Sequence, residues 1–254
     1  MAKADSDERS APRPRWEPDE VWVEEPEADT GAARSKANAE PPGHRFNVPR
    51  PVVDELAGAA GAQRGGKLAG RLADASHAFD RERYQEARRI LRPLAEEVPN
   101  AAAVRELHGL TLYRMGQWAA AAKELEMYRQ LSGSVDQHPV LSDCYRALRR
   151  YPRAVELWEE LRQASPSAEV VAEGRIVAAG CLADQGDLSG AIALLERANR
   201  QLRNPQDHHL RQWYALADLY ERAGDLPRAR ELFARLLSTD PDAYDARRRL
   251  AGLR

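Results

Sequence analysis

The 254-residue sequence has few of the residue types on which disulfide-rich, metal-binding and membrane proteins depend. Its 2 cysteines cannot form a disulfide framework, and its 6 histidines have no spacing typical of a metal site. No apolar run approaches about 18 residues, the length that a membrane-spanning helix needs. No apolar segment follows Met1 either, so we expect neither a signal peptide nor a membrane anchor, and a cytoplasmic location.

Catalytic and cofactor motifs are also missing. Serine and threonine are scattered without a nucleophile elbow, and spacing pairs no nucleophile with a base. Gly61, Gly66 and Lys67 have the spacing of a phosphate-binding loop, but Leu68 follows where that loop needs Ser or Thr. We therefore predict that the protein is not an enzyme and has no cofactor, no catalytic residue and no metal ligand.

Charge is nearly balanced along the chain, which carries 38 basic and 40 acidic side chains. Residues 1–50 hold 8 basic and 11 acidic residues, so the rest of the chain has 30 basic and 29 acidic residues. A near-neutral chain lacks the positive surface of a nucleic-acid binder, so we do not expect a nucleic-acid partner. Two basic runs, 146–153 and 247–249, keep an RNA- or ribosome-associated accessory protein as the alternative function.

The chain does contain a repeat, marked by five alanines at gaps of 34, 33, 37 and 38 residues. These alanines are Ala87, Ala121, Ala154, Ala191 and Ala229. A large apolar residue precedes each alanine by three positions and another follows it by four, so the apolar side chains share one helix face. Self-similarity at this period is typical of one helical unit stacked on copies of itself.

The fifth copy has the most complete motif. Its residues are Trp213, Leu216, Tyr220, Gly224, Ala229, Phe233 and Pro241. This order and spacing resembles the tetratricopeptide repeat, a helix–turn–helix unit, and the other four copies keep part of it. The composition, rich in Ala, Arg and Leu, is similar to that of high-GC bacterial cytoplasmic proteins, and the chain also resembles small uncharacterised tetratricopeptide proteins of actinobacteria.

The resemblance implies an all-α, right-handed solenoid of about five helix pairs. We place five repeats over residues 68–241, with starts near 68, 102, 135, 172 and 210, and a capping helix over 242–254. Because one helix pair cannot bury enough apolar surface alone, we expect one continuous core along the array. Residues 51–67 are predicted to be a glycine-rich linker that could hold a short helix.

Residues 1–50 hold seven prolines and no sustained period, and we predict a disordered acidic tail. Trp16 and Trp22 lie there among seven acidic residues between positions 15 and 29. An acidic segment with aromatic anchors is a candidate docking motif that orders on binding. A purely solubilising tail, or a tail that masks the groove of the array, remains an alternative.

The resemblance also implies where a partner would bind. Tetratricopeptide arrays bind an extended or helical peptide on a concave face lined by the first helix of each repeat. Mapped by register, the predicted groove residues are Leu72, Ser76, Phe79, Glu106, Leu110, Tyr113, Asp143, Arg146, Ile176, Asp184, Tyr214, Asp218 and Glu221.

None of these positions is Lys or Asn, the residues with which the family's chaperone-tail receptors clamp a carboxylate. The predicted groove is apolar at its start and acidic towards its end. We therefore predict a non-enzymatic protein–protein interaction scaffold whose partner segment has apolar anchors and basic residues. The alternative at these positions is a merely solvated inner face.

Overall fold

The computed structural model describes residues 48–199 and 204–253, and over these ranges every regular element is an α-helix. The predicted all-α helical repeat solenoid is confirmed. Trp16, Trp22 and the rest of the segment before residue 48 lie outside the described residues. The helices are α1 (Arg50–Ala60), α2 (Ala62–Asp80), α3 (Tyr84–Glu97), α4 (Ala102–Arg114), α5 (Trp118–Ser132), α6 (His138–Ala147), α7 (Tyr151–Ala164), α8 (Ala168–Asp184), α9 (Leu188–Glu196), α10 (Asp207–Arg222), α11 (Leu226–Thr239) and α12 (Ala246–Gly252).

Helices α2 to α11 form five consecutive pairs, and α12 follows the last pair and packs against α11. The even-numbered helix of each pair is called the first helix below, and the odd-numbered one the second helix. None of the helices in the described ranges combines the length and the apolar composition that a membrane span needs.

The same turn joins the two helices of every pair. One residue in each turn has a left-handed backbone, with φ of 58°, 67°, 58°, 86° and 79° along the chain. These residues are Glu82, Gly116, Arg149, Gly186 and Gly224. The next amide donates to a carbonyl five residues back, as from Asp225 N to Tyr220 O at 2.9 Å, which closes the end of the first helix.

The periodic alanines are buried in every pair. All five are at most 1% exposed. The large residue one turn later, such as Leu91 in the first pair and Phe233 in the fifth, is also buried. A small side chain at one position and a large one at the next let the helices interdigitate at high packing density.

The core differs from the single continuous core that the repeat pattern predicted. Among the described residues, the buried apolar side chains form four clusters that share helices. Helix α4, for example, gives Val104 to one cluster and Leu112 to the next. Between these two residues lies Arg105, 7% exposed, with Nη1 at 2.6 Å from Glu124 Oε2. Buried ion pairs of this kind interrupt the apolar contact.

The stretch 51–67, predicted to be a linker that could hold a short helix, is helical over most of its length, because α1 and the start of α2 occupy it. Gly61 is the single residue between the two helices, with φ of 82°. Gly65 lies inside α2, where a Cβ atom would come within 2.5 Å of Ala57 Cα. The glycine that suggested a flexible linker instead allows two helices to touch.

Candidate functional site

All thirteen predicted groove residues lie on first helices, so register placed them on one face of the array, called the first-helix face below. Leu72, Asp143 and Arg146 are buried, however, and the other ten are only partly exposed. The face is therefore less exposed than a fully open surface would be. Much of it is engaged in contacts within the chain.

The centre of the first-helix face is held by a polar network that links three helices. The Tyr113 hydroxyl on α4 donates to Asp143 Oδ2 on α6 at 2.7 Å. Arg146 Nε donates to Asp143 Oδ1 at 2.8 Å, and its Nη1 donates to Asp184 Oδ2 on α8 at 2.7 Å. Burial opposes the charge of Arg146, yet the two carboxylates hold its pKa above the ordinary value. This network stabilises the stacking of the second, third and fourth pairs.

The C-terminal end of the face is covered by α12. Arg249 Nη2 lies 2.7 Å from Asp218 Oδ1 and donates to Glu221 Oε2 at 2.7 Å. Its guanidinium carbon stands 5.5 Å from the centroid of the Tyr214 ring. Burial raises the pKa of Asp218, against the lowering effect of Arg249. Three predicted groove residues are therefore partners of the last helix in this structure.

The remaining predicted residues have mixed surroundings. Glu106 accepts a hydrogen bond from Gln137 at 2.9 Å, and burial raises the pKa of this carboxyl. Phe79 packs edge-on against Tyr84, with ring centroids 5.4 Å apart. Ile176 packs against the C-terminal core cluster, whereas Ser76 and Leu110 are partly exposed.

An open cavity of about 300 Å³ lies on the first-helix face, between α4, α6, α8 and α10. We call it the central cavity. Its lining residues are Tyr113, Asp136, Gln137, Pro139, Val140, Asp143, Glu169, Val170, Glu173, Val177 and Arg211. The lining includes four carboxylates, one guanidinium, three valines and a proline, so the cavity is both apolar and acidic.

The carboxylates of the central cavity are only partly neutralised. Arg211 Nε lies 3.1 Å from Glu173 Oε1, and Nη2 lies 3.7 Å from Glu169 Oε1. The first of these contacts lacks hydrogen-bond geometry, so Glu173 Oε1 is buried without a hydrogen-bond partner. Burial raises the pKa of Glu173, with Arg211 opposing. A cationic group from a partner would stabilise this carboxylate.

Positions counted from the periodic alanines predicted only two of the residues that line the central cavity, Tyr113 and Asp143. Three charged residues that were missed, Asp136, Glu173 and Arg211, each lie 18 residues before a periodic alanine. These three residues therefore lie about one helical turn N-terminal to the predicted groove positions. The same register could therefore have located them, since the cavity lies towards the N-terminal ends of the first helices.

A second opening, of about 480 Å³, lies away from the first-helix face at the turns of the first two pairs. Its lining includes Tyr84, Arg114 and the stretch 82–86. Arg114 donates to the Tyr84 hydroxyl at 2.9 Å, and Arg83 Nη1 stands 3.0 Å from Glu86 Oε2. Because its charges are paired locally on exposed turns, we regard the smaller central cavity as the candidate site.

The two cysteines are free and buried, as predicted, and burial raises the pKa of Cys181 to about 12. A thiol with that pKa is not a nucleophile at neutral pH. In the described ranges no three His, Cys, Asp or Glu side chains are grouped so that they could hold a metal ion.

Stacked helix pairs with one shared turn define the chain as a helical repeat protein. A tetratricopeptide repeat model matches residues 72–135 and 141–204, and a second model of the same repeat matches residues 210–253. The chain belongs to the tetratricopeptide repeat family. Repeats of this family generally mediate protein–protein interactions.

Solved structures agree with this fold. A thermophilic tetratricopeptide protein of Thermus thermophilus is 22% identical, with a TM-score of 0.54 over 73% of this chain and 98% of that one. A putative kinesin light chain with nearly identical repeats, from Podosopora anserina, is 19% identical, with a TM-score of 0.54 over 68% of this chain and 94% of that one. At these identities the likeness supports the fold alone. No curated protein matches the sequence.

Proposed function

We propose that the protein is a non-enzymatic interaction scaffold that binds a peptide or helix of a partner protein in the groove of the first-helix face. The observation that carries this proposal is the central cavity, where apolar side chains and partly neutralised carboxylates line the same opening. Four first helices contribute to it, so the binding surface depends on the stacking of the repeats.

The chemistry of the cavity defines the partner segment. Val140, Val170 and Val177 offer contact to one aliphatic side chain. Glu169 and Glu173 stand beside them and attract a Lys or Arg of the same segment, since a cation next to a partly buried carboxylate stabilises its charged form. Because the pKa of Glu173 is raised, binding is expected to weaken as the pH falls and this carboxylate takes up a proton.

The surroundings of the arginines support a protein partner over RNA. In the two basic runs, Arg146 and Arg249 are engaged with carboxylates of the first-helix face. Arg153 lies 3.1 Å from Glu126 and 2.7 Å from Glu156. These cations are neutralised within the fold, and an acidic cavity repels phosphate. We therefore do not adopt the RNA- or ribosome-associated alternative.

The segment around Trp16 and Trp22 remains our candidate for a second docking motif. Its seven acids and two indoles differ in chemistry from the central cavity. We propose that it contacts a partner directly. It is a poor occupant of the central cavity because carboxylates would meet carboxylates.

The test is selection from a random peptide library on the full-length protein, followed by affinity measurement. We expect the selected peptides to carry a Lys or Arg beside an aliphatic residue. The double variant Glu169→Gln/Glu173→Gln should lose at least about tenfold in affinity, which is about 1.4 kcal/mol. Glu231→Gln, an exposed carboxylate on the second helix of the fifth pair, is the matched control and should bind like the wild type. Selection of acidic peptides, or equal binding by all three proteins, would refute the proposal.

A further inference from the structure

Tyr244 is an exposed aromatic residue in the short connection between α11 and α12. Among the residues that the structure describes, three large apolar side chains are exposed, and Tyr244, at 55%, is the most exposed of them. Its backbone has φ of 49°, a left-handed conformation that glycine adopts without strain and tyrosine does not. A strained backbone that presents an exposed ring suggests that the ring itself has a role.

The residues around Tyr244 hold it in this conformation. Ala243 and Ala246, on either side of it in the chain, are buried. The hydroxyl of Tyr214 on α10 donates to Asp245 Oδ1 at 2.7 Å. The ring of Tyr244 lies against the ring of Tyr214, with centroids 4.7 Å apart and planes inclined by 43°. The connection is therefore fixed to α10, while the Tyr244 side chain stays accessible to a partner.

Tyr244 lies beside the central cavity. Arg211, which lines the cavity, precedes Tyr214 by three residues, and Asp207 precedes Arg211 by four, so the three side chains share one face of α10. Burial raises the pKa of the Tyr244 hydroxyl, and the charge of Arg211 opposes this shift. The carboxylates of Glu173 and Asp207 raise the pKa further. Charged groups of the cavity border therefore act directly on Tyr244.

The charge around Tyr244 favours an additional cation. The charges that act most strongly on its hydroxyl are one guanidinium and three carboxylates, of which Asp240 is the third. The guanidinium is that of Arg211, which already faces Glu173 at 3.1 Å and Glu169 at 3.7 Å. An exposed ring among more carboxylates than cations is complementary to a basic side chain.

The fold already holds one arginine with the same combination of groups. Arg249 stands 5.5 Å from the centroid of the Tyr214 ring and lies 2.7 Å from both Asp218 and Glu221. An aromatic ring and two carboxylates together hold this guanidinium on the first-helix face. Tyr244 offers the same combination with the carboxylates around it, but its side chain is exposed.

We propose that Tyr244 is a second subsite of the partner-binding surface, where an arginine of the bound segment lays its guanidinium on the exposed ring among the surrounding carboxylates. This inference rests on the proposed function, because it assigns a second basic residue to the same partner segment. The first basic residue pairs with Glu169 and Glu173 in the central cavity, and the arginine lies further along the segment, towards α12. Arginine fits this subsite better than lysine, since its planar group stacks on an aromatic face.

The test uses synthetic peptides that contain a Lys–Leu pair, the chemistry expected for the central cavity. An arginine is placed at each flanking position in turn, and citrulline replaces it in the matched neutral peptide. Affinities are measured on the full-length wild type and its variants. We expect arginine at a favoured position to bind the wild type about fivefold more tightly than citrulline, a gain typical of a cation on an aromatic face.

Two variants of Tyr244 separate the effect of the ring from that of the backbone. Tyr244→Phe keeps the ring and should keep the gain from arginine. Tyr244→Gly removes the ring, suits the left-handed backbone and should bind the arginine and citrulline peptides alike. Leu131→Ala, which removes another exposed apolar side chain on α5, is the matched control and should bind every peptide like the wild type.

The outcomes distinguish this inference from the proposed function. Arginine that binds the wild type no better than citrulline at any position would overturn the subsite alone. A gain that persists in Tyr244→Gly, or an equal loss of affinity for both kinds of peptide, would do the same. Peptides that do not bind, or that bind Glu169→Gln/Glu173→Gln like the wild type, would overturn the proposed function and this inference with it.

Discussion

Five residues with a left-handed backbone determine how each helix pair closes, and two of them are not glycine. Glu82 and Arg149 adopt φ of 58° where Gly116, Gly186 and Gly224 stand in the other pairs. The sequence showed both departures from glycine, and the fold keeps the turn nevertheless. A Cβ atom in this region costs about 1–2 kcal/mol, which packing of the pair must offset.

Glu82→Gly should therefore stabilise the protein by about 1 kcal/mol, since it removes this strain and loses only an exposed ion pair with Arg114 at 4.0 Å. Urea denaturation of both proteins measures the difference. Gly186→Ala is the reverse control, because a Cβ atom there meets no neighbour within 4 Å and only the backbone is strained. It should lose about 1 kcal/mol. A Glu82→Gly protein that is less stable than the wild type would contradict this assignment.

Apolar periodicity predicted the contacts of alanines and large residues, because these depend only on spacing along one helix. It did not predict the partners of Arg146 and Arg249, which lie on neighbouring helices at distances fixed by stacking. The two basic runs that contain these arginines suggested an RNA- or ribosome-associated alternative. The structure instead pairs these arginines with the acids that had been assigned to the groove.

Single helices differ in how their N-termini are capped. Asp187 and Asp225 start the second helices of the last two pairs and accept from the amides of Gly190 at 2.8 Å and Arg228 at 3.3 Å. Gln117 holds the same place before α5 and makes no such hydrogen bond. Arg83 and Arg150 hold the same place before α3 and α7 and make none either, so only two of the five second helices have this cap.

Gln117→Asp should add about 1 kcal/mol to the free energy of unfolding, by supplying an oxygen to the free amides of α5. Thermal or urea denaturation measures the gain. Gln117→Ala offers no acceptor and should give no gain. If the two variants were equally stable, the capping explanation would be wrong.

Glu126 connects three helices and gives the fold a pH dependence. It accepts from Arg129 and Tyr145 at 3.0 Å each, and from Arg153 at 3.1 Å. Burial raises its pKa, but hydrogen bonds from Arg153 and Arg129 outweigh this effect and hold the pKa below the ordinary 4.5. Its contribution is therefore complete above that value and is lost as the pH falls through the lower native pKa.

We expect the wild type to exceed Glu126→Gln in melting temperature at neutral pH, and the difference to shrink and then disappear as the pH falls through the lowered native pKa of Glu126. Melting curves across this range measure it. Glu159→Gln removes an exposed carboxylate that pairs only with Arg162 on the same helix and serves as control. A difference that persists in acid would show that packing, not charge, links these helices.

Sequence reasoning gave α1 only as a short helix that a linker could hold, and did not predict its packing on α2. Its region contains Gly58, Gly61, Gly65 and Gly66, and a glycine-rich stretch between a tail and a repeat suggests a linker. The contact of Gly65 with Ala57 joins two helices, so no local sequence pattern predicts it. The five pairs, by contrast, follow from a period that every pair repeats.

Across the whole molecule, stacking creates a surface that no single pair has. The hydrogen bonds around Asp143 and the contacts of Arg249 hold helices of the first-helix face in place. The central cavity lies in the part of that face that these contacts leave open. Helix α12 covers the C-terminal end of the same face. The open middle is therefore where we expect a partner segment to lie.

Site-specific photo-crosslinking in cells of the source organism tests this expectation most directly. A photoreactive residue in place of Val170 lies in the central cavity, and one in place of Val155 lies on α7, where the side chain is 43% exposed. We predict one dominant protein adduct from position 170, lost in the Glu173→Gln background, and none of that size from position 155. Adducts of the same protein from position 155 alone, or equally from both positions, would contradict a binding site on the first-helix face.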